Sequence, residues 1–291
     1  MTCPAALRPA ALRALHDRLP HARVTDVLLD VDAWTGFSGC FTHRRTGRTC
    51  DDRAALLTCI LADGINLGLT RMAETCRGAS LRQLALVHDW YVSEGGYAEA
   101  LGRLIDAHRA LPLARVWGDG TKSSSDGQHF FAGGRGEAAA DVNARHGNEP
   151  GVSFYTHVSD QYGPFHTKVI AATAGEAPHV LDGLLYHQSG LSIDEHAVDT
   201  GGVSDHCFGL LPFFGYRFAP RMRDLRDRRL HLPPGLAIAP LLAHWTDHKN
   251  PVDVEHVAAH WEELLRMATS IRAVGRARRL CAQAGSLGAP A

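Results

Sequence analysis

The chain has 291 residues, of which 45 % are hydrophobic and 21 % charged, and its net charge is −1. This balance excludes a globally basic nucleic-acid coat, and no apolar run approaches the roughly 18 residues of a membrane span. Seven cysteines without a C-x-x-C pair argue against a disulfide framework or a zinc ribbon.

Residues 1–21 are rich in Ala, Leu and Arg and read as a weakly held helix. Arg8, Arg13, His16 and Asp17 interrupt any apolar core of signal-peptide type, so a cytoplasmic protein without membrane association is expected. Val24 to Trp34 has helical apolar spacing, with Thr25 as its expected N-cap. Gly36 to Arg48 reads as loop. Asp51 to Met72 is the longest apolar-periodic stretch and breaks at Asp63-Gly64, followed by a turn at Asn66-Leu67-Gly68. Leu69 to Cys76, Ser80 to Val92 and Tyr97 to Ala110 are further helices, with Gly95-Gly96 separating the last pair.

The pattern changes at Arg115. Trp117 to Phe130, WGDGTKSSSDGQHF, carries Asp119 and Asp126 around a run of small hydroxyl residues. Gly133-Gly134-Arg135-Gly136 opens a polar insertion that matches no phosphate-loop pattern. Val152 to Val158 and Phe165 to Ala171 alternate at period two around the turn Asp160 to Pro164, which predicts a hairpin. Glu176 to Gln188 is an amphipathic helix with Pro178 in its first turn. Glu195 to Thr200 is a short strand ending on Asp199. Ser204 caps a helix towards Phe214, and Tyr216 to Ala219 is one more strand.

The order from Trp117 is strand, insertion, strand, strand, helix, strand, helix, strand. That is the ribonuclease-H-like arrangement, in which the first and fourth strands lie side by side. The fold class is therefore α/β: a helical N-terminal region, a ribonuclease-H-like mixed sheet with flanking helices, and a C-terminal helical segment. The expected division is 1–114, 115–235 and 236–291. Asp126 and Asp199, 73 residues apart, would meet on the two central strands. Two carboxylates at close range repel unless a cation lies between them, and Mg²⁺ accepts such oxygen ligands while keeping waters for a phosphate to replace. Asp119 is the rival first acid and Asp205 the rival second.

None of the 18 histidines stands at a metal-ligand spacing of the H-E-x-x-H kind. His166, His179, His187 and His196 read as surface or core residues, and His157 as one that approaches a phosphate. Arg217 to Arg229 concentrates Arg217, Arg221, Arg223, Arg226, Arg228 and Arg229, either a solvated face or a DNA phosphate contact.

WGDGTKSSSDGQ, GNEPGVSFYTHVSDQYGPFHTKVI, HVLDGLLYH and DTGGVSDHCFGLLPFFGYRFAPRMRDL resemble the DDE transposases of the replicative Tn3 family. DVDAWTGF and ILADGINLGLTRMAE match it too, so the resemblance runs from about Val24 to about Ile271. It implies a ribonuclease-H-like catalytic domain, two Mg²⁺ ions, and DNA as partner: the transposon's inverted-repeat ends and target DNA, with a homo-oligomer compatible. The implied reaction is strand cleavage followed by strand transfer, with Asp126 and Asp199 matching the first and second acids.

The resemblance also implies a third acid, a glutamate on a later helix beyond Ile271. The sequence after Arg272, GRARRLCAQAGSLGAPA, reads as a patternless, truncated tail. Glu262 and Glu263, in an expected helix His256 to Arg272, match no catalytic position of the family. An incomplete metal site is therefore expected, and a chain that does not itself transpose DNA. The alternative to a transposase core is a non-catalytic remnant with residual DNA binding.

Overall fold

The computed structural model describes residues 13–14, 17–18, 21–132, 141–143 and 147–286, without the side chains of residues 225 and 275–286. Most of the helix expected over residues 1–21, and the glycine-rich start of the insertion at Gly133, lie outside the described residues. The chain divides into two compact units, residues 1–43 with 48–92 and residues 44–47 with 93–291. Among the described residues, no helix is long and apolar enough to cross a membrane.

The first unit holds helices α1 (Val24–Thr35), α2 (Arg53–Gly64), α3 (Leu69–Thr75) and α4 (Leu81–Tyr91). Helix α1 stops where Gly36 turns left-handed, at φ 64°, and returns its N–H to the Asp32 carbonyl, a conformation glycine adopts without a Cβ penalty. Arg23, not Thr25, occupies the N-cap position of α1 and makes no side-chain cap bond. Helix α4 opens on a capping box between Ser80 and Gln83, which satisfies two otherwise orphaned N–H groups. Phe41, Leu56, Cys59 and Leu84 are fully buried here. Asp32 is buried among them, and it is paired with Arg53 and accepts the N–H of Ser38, the partners a buried carboxylate requires.

The second unit begins with α5 (Glu94–Ala110) and the short α6 (Ala114–Trp117). Gly95 and Gly96 do not separate one helix from the next; they form the first turn of α5, with Ser93 accepting the N–H of Gly96 as its cap. A serine cap contributes about 1 kcal/mol, comparable with the penalty of one helical glycine.

Five strands follow: β1 (Lys122–Phe131), β2 (Gly151–Ser159), β3 (Pro164–Ala171), β4 (Glu195–Val198) and β5 (Arg217–Phe218), in the spatial order β3-β2-β1-β4-β5. The pairs β1–β2 and β2–β3 are antiparallel, and β1–β4 and β4–β5 are parallel. This is the ribonuclease-H-like mixed sheet. Helix α7 (Ala177–Tyr186) crosses from β3 to β4, and α8 (Asp205–Leu210) crosses from β4 to β5.

Tyr155, Phe165, Ile170 and Val198 from the sheet pack with Val180 and Leu184 of α7 to form the core. Lys168 of β3 donates to Asp182 of α7 at 2.6 Å, and the Tyr216 hydroxyl donates to the Leu184 carbonyl at 2.9 Å. Both bonds hold α7 in one position on the sheet. Beyond it, α9 (Val254–Ala259) and α10 (Trp261–Ser286) replace the single helix expected over His256 to Arg272. The helix is interrupted at His260, the C-cap of α9, and α10 continues to Ser286 through the stretch that reads as patternless. Its alanines, arginines and leucine are strong helix formers even without an amphipathic stripe.

Candidate metal centre

The parallel register pairs Ser125 of β1 with Val198 of β4. The next residue on each strand is an acid, Asp126 on β1 and Asp199 just past the end of β4. A third acid joins them. Asp126, Glu176 and Asp199 each offer a carboxylate oxygen, and these atoms lie within 4.8 Å of one another. No other group of three metal-capable side chains occurs among the described residues.

Each carboxylate is placed by its local backbone. Asp126 is exposed, and its Oδ1 accepts the N–H of Gly127 at 2.8 Å. Asp199 ends β4 by capping the turn Thr200–Gly202, its Oδ1 accepting the N–H of Gly201 at 2.8 Å. Glu176 sits at the N-cap position of α7 but makes no side-chain cap bond there. Its carboxylate instead reaches between two glycines. A Cβ on Gly127 would collide with Glu176 Oε1, and one on Gly201 would stand 2.8 Å from Oε2 and 3.1 Å from Oδ1 of Asp199. Both glycines leave the space that the carboxylate enters.

Sequence reasoning places Glu176 only at the start of a helix. The signal available for it was the pairing of each aspartate with a close following glycine, Asp126-Gly127 and Asp199-Thr200-Gly201. Glu176 precedes Asp199 in the chain, so it is not the distal glutamate that the resemblance implies. Glu262 and Glu263 lie exposed in the first turn of α10 and belong to no such group. The two rival aspartates also stand apart from it. Asp119 accepts the Thr121 hydroxyl at 2.6 Å and the Thr121 N–H at 3.0 Å, and these bonds hold its carboxyl below the usual range. Asp205 lies in the first turn of α8, whose cap is Ser204, where an acid is favoured by the helix dipole alone.

The donor set is three hard carboxylate oxygens with access to water. It fits a divalent cation that takes oxygen ligands, and such a cation relieves the repulsion between the carboxylates.

One arginine of the run is tied by its backbone to the strand that leads to Asp199. The Arg221 N–H donates to the Val198 carbonyl at 2.7 Å, one residue before Asp199. Arg217 pairs with Glu195 at 3.3 Å. Arg221, Arg223, Arg226, Arg228 and Arg229 are exposed and make no ion pair among the described residues.

His157 does not approach any phosphate position. It is fully buried beneath the sheet, next to the fully buried His196. Burial presses both imidazoles below their ordinary value, His157 to about 3 and His196 to about 4, so both are neutral near pH 7.

Sheet order and carboxylate cluster together define the class: a ribonuclease-H-like domain with an acidic site of the kind that handles divalent metal. Residues 26–279 match the family model of the Tn3 transposase DDE domain, and the chain belongs to that family. It is 46 % identical over 268 residues to the transposase for transposon Tn3926 of Escherichia coli, covering 91 % of this chain and 27 % of that protein. The transposase for transposon Tn501 of Pseudomonas aeruginosa shows the same identity and coverage. The transposase for transposon Tn1546 of Enterococcus faecium is 38 % identical over 261 residues, 89 % of this chain and 26 % of that protein. The chain thus spans about a quarter of the length of these curated relatives. The family implies a divalent metal, and Asp126, Glu176 and Asp199 are the residues with the geometry to hold one.

Proposed function

We propose that this chain provides the metal-holding core of a Tn3-type transposase, acting on phosphodiester bonds at transposon ends. The observation that carries this reading is the convergence of three carboxylates within 4.8 Å at the central strands of a chain matched to the family over residues 26–279. Asp126, Asp199 and Glu176 hold the ion, which is Mg²⁺ on the hard-donor argument. When bound, such an ion stabilises charge developing on phosphodiester oxygens.

The chain's own residues supply position. Asp126 and Asp199 are fixed by backbone bonds from Gly127 and Gly201, so the donors need little rearrangement to receive a ligand. Arg221, Arg223, Arg226, Arg228 and Arg229 hold DNA phosphates beside the centre, with Arg221 nearest to Asp199 in the backbone. Orienting a phosphodiester in this way is worth orders of magnitude in rate by itself. Work on DNA is consistent with a cytoplasmic protein.

Mn²⁺ binding, read by electron paramagnetic resonance, together with nicking of supercoiled DNA that carries a transposon end, tests this reading. The unmodified chain should bind Mn²⁺, and Asp126→Ala and Asp199→Ala should each weaken binding at least about tenfold, which is about 1.4 kcal/mol. Equal binding by all three proteins would sink the metal reading. Metal binding without nicking would instead favour a domain that binds metal and DNA without cutting it.

A further inference from the structure

We propose that the buried pair His157 and His196 positions the carboxylate centre, by tying together the three elements that carry Asp126, Asp199 and Glu176. The inference rests on the metal reading above and names a positioning role that the acids themselves do not fill.

His196 is on β4, three residues before Asp199. Its Nδ1 is hydrogen-bonded to the Ser123 hydroxyl and its Nε2 to the Ser125 hydroxyl, both at 2.8 Å. Ser125 immediately precedes Asp126 on β1, and its hydroxyl is also bonded to the Tyr155 hydroxyl on β2 at 2.7 Å. One imidazole therefore grips two successive inward positions of the neighbouring strand. His157 of β2 stacks on it, with ring centroids 5.3 Å apart and planes inclined by 25°. The Nε2 of His157 donates to the Val180 carbonyl of α7 at 2.9 Å, and α7 is the helix that carries Glu176 at its start. The two rings connect β1, β4 and α7.

The strand ladder alone fixes this spacing weakly. The β1–β4 pairing spans four residues and ends one step before the acids. A one-residue slip would carry Asp199 about 3.3 Å along and turn it to the opposite face. A slip would also break both bonds of His196, because Ser123 and Ser125 are spaced for its two nitrogens. An apolar residue at 196 would fill the same volume but leave two buried hydroxyls with nothing on that side. The protonation states agree with the geometry. A neutral imidazole has one donor and one acceptor, so one serine accepts from His196 and the other donates to it. On His157 the Val180 carbonyl takes the N–H, which leaves Nδ1 without a proton; it has no hydrogen-bond partner among the described residues and faces Gly183 of α7.

The test measures Mn²⁺ affinity and thermal stability side by side for His196→Leu, His196→Gln, Ser125→Ala and the control Leu211→Ala. Leu211 is a buried core residue that makes none of these bonds. Well below the melting temperature of each variant, His196→Leu should bind Mn²⁺ at least about tenfold more weakly than the unmodified chain. His196→Gln, whose amide can still reach one serine, should recover some of that loss. Leu211→Ala should bind within about threefold of the unmodified chain despite lower stability. If His196→Leu does not fold, Ser125→Ala decides, with an expected loss of about threefold or more. Unchanged affinity in the His196 or Ser125 variants overturns the positioning role, and so does an equal loss in Leu211→Ala. An unmodified chain that takes up no Mn²⁺ overturns the metal reading and this role with it.

Discussion

Gly127→Ala separates the carboxylate site from the stability of the sheet. Gly127 follows Asp126 in β1, and its backbone lies outside the left-handed region, so alanine suits the strand. Its Cβ would collide with Glu176 Oε1 and stand 3.1 Å from Glu176 Cδ. Carbon atoms settle at about 3.5–4.0 Å, so the carboxylate must withdraw by roughly 0.5–1 Å. The atoms that have to move are the far end of a flexible side chain, and no backbone is forced to follow. Replacing a strand glycine by alanine regains roughly 0.5–1 kcal/mol of chain entropy and packing. Folding stability should therefore change by less than about 1 kcal/mol, a shift of a few degrees in Tm. Metal affinity should respond quite differently. With one of three ligands displaced, Mn²⁺ binding should weaken about tenfold or more, each tenfold being about 1.4 kcal/mol. Glu176→Gln should match it, and the double variant should lose no more than Glu176→Gln alone, because both changes remove the same contact. The assay is Mn²⁺ titration followed by electron paramagnetic resonance, alongside a thermal melt. A Gly127→Ala protein that binds Mn²⁺ like the unmodified chain, while Glu176→Gln does not, refutes the cradle argument. Full affinity in both removes Glu176 from the site.

Gly183→Ala should behave in the opposite way, because its Cβ would strike the ring of His157, which is buried and fixed to Val180. The helix gains about 1 kcal/mol from alanine, overpacking costs about 1–3 kcal/mol or more, and chemical denaturation should show a net loss; a variant as stable as the unmodified chain contradicts this packing. Acid should unfold the second unit through its buried and half-buried imidazoles. His157, His166 and His196 are held at about 3, 4 and 4, below the ordinary 6.5, chiefly by desolvation. The unfolded chain then takes up more protons below pH 6.5, so stability is full above that pH and falls by about 1.4 kcal/mol per pH unit per histidine down to about pH 4. A denaturation midpoint that stays flat between pH 6.5 and 4.5 would contradict it. Replacing Arg223, Arg226, Arg228 and Arg229 by alanine should weaken DNA binding at all sequences alike and lower the slope of log affinity against log salt by about one per lost phosphate contact; an unchanged slope means that these arginines face only solvent.

The strands of the sheet could be read along the chain. Period-two alternation at Val152 to Val158 and Phe165 to Ala171, the turn between them, and the stripe of the helix after Glu176 are local patterns. They led to the strand order, which brings Asp126 beside Asp199. Caps were legible at Ser204, where a hydroxyl meets the first free N–H groups of a helix. The continuation of α10 past Arg272 was not, because its helix formers carry no amphipathic stripe to read. Tertiary structure set the register that pairs Ser125 with Val198, so that the next residues on the two strands, Asp126 and Asp199, stand level. It also brought in Glu176, 50 residues after Asp126, at the start of α7 and in the room left by Gly127 and Gly201. It buried His157, which the sequence reading had approaching a phosphate. Periodicity tells which side of an element faces the core. Which atoms meet across fifty residues depends on how the elements pack, and no local pattern in the chain encodes that distance.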